Sequence, residues 1–248
     1  LYRSLRETDA IDIVTSPFNH PILPLLCDTS IAREGMPGCL LPKKRFQFPE
    51  DAVKQVEMGL DYMEDRFGER PAGMWPSEGS VSPQALEILH NAGVRWAATD
   101  EGILAKSIRD FKRERDLYHP WDAHGVTMFF RNLRLSDQIG FVYSRNTAEV
   151  AVDDFISRLR EIAASVPKNG NHIVSVILDG ENAWEYFPNS GKEFLTRLYE
   201  RILSEKDIEP VTFTRYLDEH PPESRLESIF PGSWINSNFD TWMGDQEE

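Results

Sequence analysis

A short apolar, β-branched run, Ile173-Val174-Ser175-Val176-Ile177-Leu178, breaks into Asp179-Gly180-Glu181, and Trp184, Glu185, Tyr186 and Phe187 follow before Pro188. A loop that only connects elements needs turn formers and solubility, not acids and flat rings packed together. A separate acid, Glu78, stands three residues after Trp75 in Trp75-Pro76-Ser77-Glu78-Gly79-Ser80. Two acids, each near a tryptophan, match what cleavage of a glycosidic bond requires. One carboxylate attacks the anomeric carbon or activates water, and the other protonates the leaving oxygen. Aromatic rings cover sugar faces, while amides, arginines and carboxylates bind hydroxyls. The residues alone therefore point to a carbohydrate-active site.

The elements that must hold these residues can be read from pattern. Ile173–Leu178 is short enough to be a strand buried on both faces. The stretch 72–75 reads as a short strand leading to Glu78, and Ser82-Pro83 then opens a helix as N-cap and first-turn proline. Taken alone, Glu78 is equally well a capping or surface acid. Further strands are expected at Ile11–Ser16, Val94–Thr99, Thr127–Arg131 and Val211–Phe213. Helices are expected from Pro49 to about Phe67, with Ala52, Val53, Val56, Leu60 and Met63 inward, and from Thr147 to Ser165. Another follows Ser190, which with Glu193 reads as a capping box.

Polar residues gather just past the strand ends: His20, between two prolines, then Glu78, Asp100, Arg131 with Asp137, and Asp179 with Glu181. His20 is as readily a loop histidine bonded to backbone. Strands alternating with helices predict a parallel sheet with helices outside it. In a barrel of parallel strands such ends meet on one face, where active sites lie. A single domain over residues 1–248 is the expectation.

The chain has 248 residues and a formal net charge of −14, which argues against nucleic acid or an anionic membrane as the main partner. No apolar run is long enough to span a bilayer. Cys27 and Cys39 do not have the pattern of a zinc site, and two thiols are more often reduced than bridged.

Together, Thr15-Ser16-Pro17-Phe18-Asn19-His20-Pro21, Trp75-Pro76-Ser77-Glu78-Gly79-Ser80-Val81-Ser82, Leu178-Asp179-Gly180-Glu181-Asn182-Ala183-Trp184-Glu185 and Gly232-Ser233-Trp234-Ile235 resemble the successive conserved regions of glycoside hydrolase family 57. The resemblance implies an α/β fold, an incomplete (β/α)7 TIM-like barrel of parallel strands with outer helices. It implies a retaining hydrolase or transglycosylase acting on an α-glucan or maltooligosaccharide by double displacement, with no metal or organic cofactor. The family's nucleophile falls on Glu78 and its acid/base on Asp179, which must hold a proton while Glu78 is charged. The carboxyls are then expected about 5–5.5 Å apart.

Substrate-binding roles are expected for His20, Trp75, Arg131, Asp137, Glu181, Trp184, Trp234 and Trp242. The family's first region, a His-Gln-Pro strand, has no counterpart here, so the chain reads as a segment of a longer polypeptide. A cytoplasmic location is the expectation. Two readings stay open beside this one. The first is a metal-dependent enzyme of the polysaccharide deacetylase or α-mannosidase kind. The second is a non-catalytic glucan-binding fragment.

Overall fold

A computed structural model describes residues 1–8, 10–180 and 184–243. The chain divides into two compact units. The first comprises residues 1–111, 119–130 and 212–248, and the second residues 112–118 and 131–211.

The first unit is built on a five-stranded sheet. Its strands are β1 (Gly73–Met74), β2 (Trp96–Asp100), β3 (Trp121–Ala123), β4 (Val126–Arg131, of which all but Arg131 belongs to this unit) and β5 (Ser224–Arg225). They lie in the order β1-β2-β4-β3-β5. β1 runs parallel to β2, with Gly73 opposite Trp96. A Cβ on Gly73 would stand 2.1 Å from the Trp96 ring, so the glycine makes room for the indole. That ring packs with Phe129 and Phe213, at centroid distances of 5.9 and 4.8 Å.

One pair departs from the expected parallel sheet: β3 and β4 run antiparallel, with Ala123 opposite Val126. His124 and Gly125 between them both take positive φ, 53° and 82°. Such a pair makes the two-residue turn whose twist suits a hairpin.

Helix Pro49–Phe67 starts at a proline with Glu50 and Asp51 in its first turn and ends at Gly68, φ 92°. Acids at the start favour the positive end of the helix dipole, and glycine adopts the left-handed cap without steric cost. Ala52, Val56 and Leu60 are buried, but Val53, expected inward, is 44% exposed. Helix Pro83–Asn91 begins where Ser82 Oγ accepts from the Ala85 N–H.

Two elements differ from expectation. Residues 11–16 form no continuous strand; Thr15 makes a single parallel bridge to Met74. Val211–Phe213 is not a strand at all. Thr212 caps a helix, Phe213–Glu219, with its side chain accepting from the Arg215 N–H. The β-branched pair Val211-Thr212 suits a strand, but the threonine hydroxyl suits an N-cap equally. Packing of Phe213 on Trp96 and Phe129 decides between them.

In the second unit, helices Ala148–Ser165 and Lys192–Ser204 pack through Val152, Phe155, Ile156, Phe194, Leu198 and Ile202. Thr147 Oγ1 caps the first. The second has Gly191 at its N-cap (φ 76°), with no side-chain cap. Ser190 is itself left-handed at φ 52°, so the expected capping box does not form, and Glu193 pairs with Arg197 instead. Ile173–Leu178 is extended but bridges a neighbour only at Ser175. Val174, Val176 and Leu178 pack against the helical core, while Ile173 and Ser175 are buried on the other side of the alternation.

Candidate active site

Glu78 owes its position to a sharp turn. It follows β1 and precedes helix Pro83–Asn91, and its own backbone lies in the left-handed region at φ 56°, ψ 29°, with Gly79 next to it at φ 57°. For a residue with a Cβ that conformation costs roughly 1–2 kcal/mol, and such strain persists where the surroundings over-determine it. Thr99 Oγ1 donates to the Gly79 carbonyl at 2.5 Å, and Val81 exchanges both backbone hydrogen bonds with Gly232. The turn is therefore held on both sides.

Both oxygens of the Glu78 carboxyl have a neighbour. Oε2 accepts from Trp234 Nε1 at 2.9 Å. Oε1 lies 3.3 Å from His20 Nε2. The carboxyl is about a quarter exposed and the imidazole about half. Trp75 meets Trp234 edge to face, with ring centroids 5.3 Å apart. A Cβ on Gly79 would come within 2.9 Å of the Trp75 ring and 3.3 Å of Trp234 Cβ, so only glycine allows both indoles to close on this turn.

His20 is carried there by the 15–20 segment. The Trp75 N–H donates to the Thr15 carbonyl, and the N–H groups of Phe18 and Asn19 donate to the carbonyl and side chain of Gln55. Gly59 lets that segment approach helix Pro49–Phe67, since a Cβ there would stand 2.7 Å from the Ser16 carbonyl. His20 itself has φ 55°. The loop supplying Trp234 is braced by Trp242, whose Nε1 donates to Ser233 Oγ at 3.0 Å and whose ring packs with Leu25, Ala32 and Phe239.

Asp179 belongs to the second unit, half-buried at the end of the extended stretch. Arg131 and Asp137 are in the same unit and joined, Nη2 to Oδ1, at 2.6 Å. Arg131 also reaches the carbonyl of Ile177, two residues before Asp179. Trp184 packs on Phe187 and Phe194, with centroids 5.5 and 6.4 Å away, and against Gly191. Glu181 lies outside the described residues.

The structure thus brings His20, Trp75, Glu78 and Trp234 together in one unit, and Arg131, Asp137 and the Asp179 segment in the other. Among the described residues, no three His, Cys, Asp or Glu side chains are grouped as metal ligands. No helix among them is long and apolar enough to cross a membrane.

The sequence model of Glycosyl hydrolase family 57 matches residues 1–228. The chain belongs to this family. A putative α-amylase from Methanocaldococcus jannaschii is 20% identical over 254 residues, covering 99% of this chain and 48% of that protein. A 1,4-α-glucan branching enzyme from Thermococcus kodakarensis is 23% identical over 305 residues, covering 99% and 44%. This chain thus spans less than half the length of either. The crystal structure of the α-amylase AmyC from Thermotoga maritima superposes with a TM-score of 0.73 at 17% identity, over 96% of this chain and 54% of that one. The α/β fold, with mostly parallel strands and helices, is that of the family's (β/α)7-barrel enzymes, as the sequence led one to expect.

Three groups that hold these residues were not singled out from the sequence: Thr99 behind Gly79 and Gln55 beneath His20 in the first unit, and, in the second, Ser136, whose Oγ accepts from the Ile177 N–H at 3.2 Å. Ser136 had a signal, since it sits between Leu135 and Asp137 just after a strand end. Gln55 and Thr99 had none, being one residue of a helix and one of a buried strand.

Proposed function

We propose that this chain carries the catalytic residues of a retaining glycoside hydrolase or transglycosylase acting on α-glucans, with Glu78 as nucleophile and Asp179 as acid/base. The observation that carries the reading is the state of Glu78. It is an acid held in a strained backbone conformation, partly open to solvent, with one oxygen fixed by an indole N–H and the other beside an imidazole. A capping or surface acid has no need of such a setting.

In the first step a Glu78 oxygen attacks the anomeric carbon. The glycosidic C–O bond breaks, and its electron pair goes to the departing oxygen, which takes the proton from Asp179. In the second, the Asp179 carboxylate takes a proton from water or from a sugar hydroxyl. That oxygen attacks the anomeric carbon, and the bond to Glu78 breaks. Water gives hydrolysis and a sugar hydroxyl gives transfer. Trp234, through its hydrogen bond, orients the attacking carboxylate, while the half-buried rings of Trp75 and Trp234 are of a kind that suits a sugar ring.

Incubation with maltooligosaccharides, with products resolved by length, tests the reading. Products that disappear in both Glu78→Gln and Asp179→Asn support it, and product lengths report hydrolysis or transfer. Binding of maltooligosaccharide that survives both substitutions, without turnover in the parent chain, would instead mark a glucan-binding fragment.

A further inference from the structure

Arg131 was expected to touch substrate, yet its side chain is only 6% exposed. Its guanidinium is turned to the backbone of the stretch that ends in Asp179. Nε donates to the Ile177 carbonyl at 2.9 Å, and Nη2 donates to Asp137 Oδ1 at 2.6 Å. The Ile177 N–H is taken by Ser136 Oγ at 3.2 Å. Both backbone groups of Ile177 are therefore held by side chains of one short segment, residues 131–137. One step earlier, the Asn132 N–H donates to the Ser175 carbonyl at 2.8 Å, and Ser175 makes the only strand bridge of the stretch among the described residues.

The segment itself is fixed. Asn132 Oδ1 caps helix Leu133–Asp137 by accepting from the Leu135 N–H at 2.9 Å and also accepts from Arg113 Nη2 at 2.9 Å. A regular sheet would hold Ile177 through a neighbouring strand's backbone. Here the ladder ends at Ser175, and a buried arginine and a serine carry on its work as far as Ile177.

Resting on the assignment of Asp179 as acid/base, we propose that Arg131, Ser136 and Asp137 form a clamp that positions its carboxyl. Gripping Ile177 on both edges sets the direction in which the chain leaves toward Asp179 two residues on. Asp137 neutralises the buried guanidinium and fixes its rotamer. A misplacement of about 1 Å in a reacting group can cost on the order of 100-fold in rate, so the clamp acts on the proton-transfer half of the reaction. It leaves Glu78, in the other unit, as it is.

The test compares two substrates on the full chain. Maltooligosaccharide has a poor leaving group and needs the acid. α-Maltosyl fluoride leaves without a proton, and added azide attacks the glycosyl-enzyme without a base, so fluoride release with azide reports the nucleophile alone. Asp179→Asn sets the reference pattern, with maltooligosaccharide turnover lost and azide-supported fluoride release kept.

Arg131→Met and Ser136→Ala are expected to follow that pattern, losing roughly 100-fold and 10-fold on maltooligosaccharide while changing fluoride release less than about threefold. Arg131→Lys should recover part of the loss. Equal losses on both substrates, or unchanged maltooligosaccharide turnover in Ser136→Ala and Asp137→Asn, would overturn the clamp. Ser136→Ala and Asp137→Asn leave the arginine in place and so keep the test available if Arg131→Met does not fold. Maltooligosaccharide turnover that survives Asp179→Asn overturns the acid/base assignment itself, and the clamp with it. Clamp failure alone shows only in the Arg131, Ser136 and Asp137 variants.

Discussion

Trp234 holds Glu78 twice: its indole Nε1 donates to Oε2 at 2.9 Å, and its backbone N–H donates to the Glu78 carbonyl at 3.0 Å. The two residues are 156 positions apart in sequence. The backbone bond seats the strained turn, and the indole bond sets the direction of the carboxylate.

Replacing Trp234 by Phe keeps an aromatic ring beside Trp75 and removes only the indole donor. A hydrogen bond to a charged group contributes about 1.5–3 kcal/mol. Turnover is therefore expected to fall roughly 10- to 100-fold. KM for maltooligosaccharide should change little if the bond orients the attacking carboxylate rather than the sugar. Steady-state kinetics decides it, and a rise in KM at constant kcat would assign Trp234 to substrate binding instead.

Gly79→Ala places a methyl 2.9 Å from the Trp75 ring in a backbone with φ 57°. Strain and overlap together should destabilise the chain by about 1–3 kcal/mol. Urea titration should show an earlier midpoint with an unchanged slope, and activity should fall with it because Trp75 and Trp234 both border the turn.

The Asp28 carboxyl is pulled down to about 2, first by its hydrogen bond from Arg45 and also by the Ser30 backbone N–H, against the opposing effect of burial. A carboxyl depressed in the folded state stabilises it above the unfolded pKa, near 3.8, and loses that contribution as pH falls toward about 2. Arg45→Met should therefore unfold more readily than the parent at pH 6. The difference should shrink between about pH 4 and pH 2. A gap in unfolding midpoint that stays constant down to pH 2 would show that the ion pair is not its source.

Burial pushes the Cys27 thiol up to about 12, with the Asp28 charge adding to the shift. Thiolate is the nucleophile in alkylation, so at pH 8 iodoacetamide should modify the half-buried Cys39 first. Cys27 should react only once the chain unfolds. Peptide mass mapping over a time course reads this directly.

Elements whose causes are local were legible. Pro49 with two acids after it and Gly68 at the end define one helix, Ser82-Pro83 starts another, and Thr147 starts a third; each boundary falls where its capping residue stands. The family was legible as well, because its resemblance rests on particular residue types in short, dense runs, which survive as linear motifs.

Long-range packing decided the rest. Thr212 could end a strand or cap a helix, and the contact of Phe213 with Trp96 and Phe129 chose the helix. Ser190 and Glu193 have capping-box spacing, but the left-handed turn ahead of Gly191 leaves neither in place to cap. Four tryptophans looked alike as sugar platforms. The fold sets Trp75 and Trp234 at the acid, turns Trp242 toward Ser233 behind it, and packs Trp184 on Phe187 and Phe194. Residue type and spacing name the groups able to do chemistry. Which atom each group meets depends on partners up to 156 residues away, and no local pattern encodes that distance.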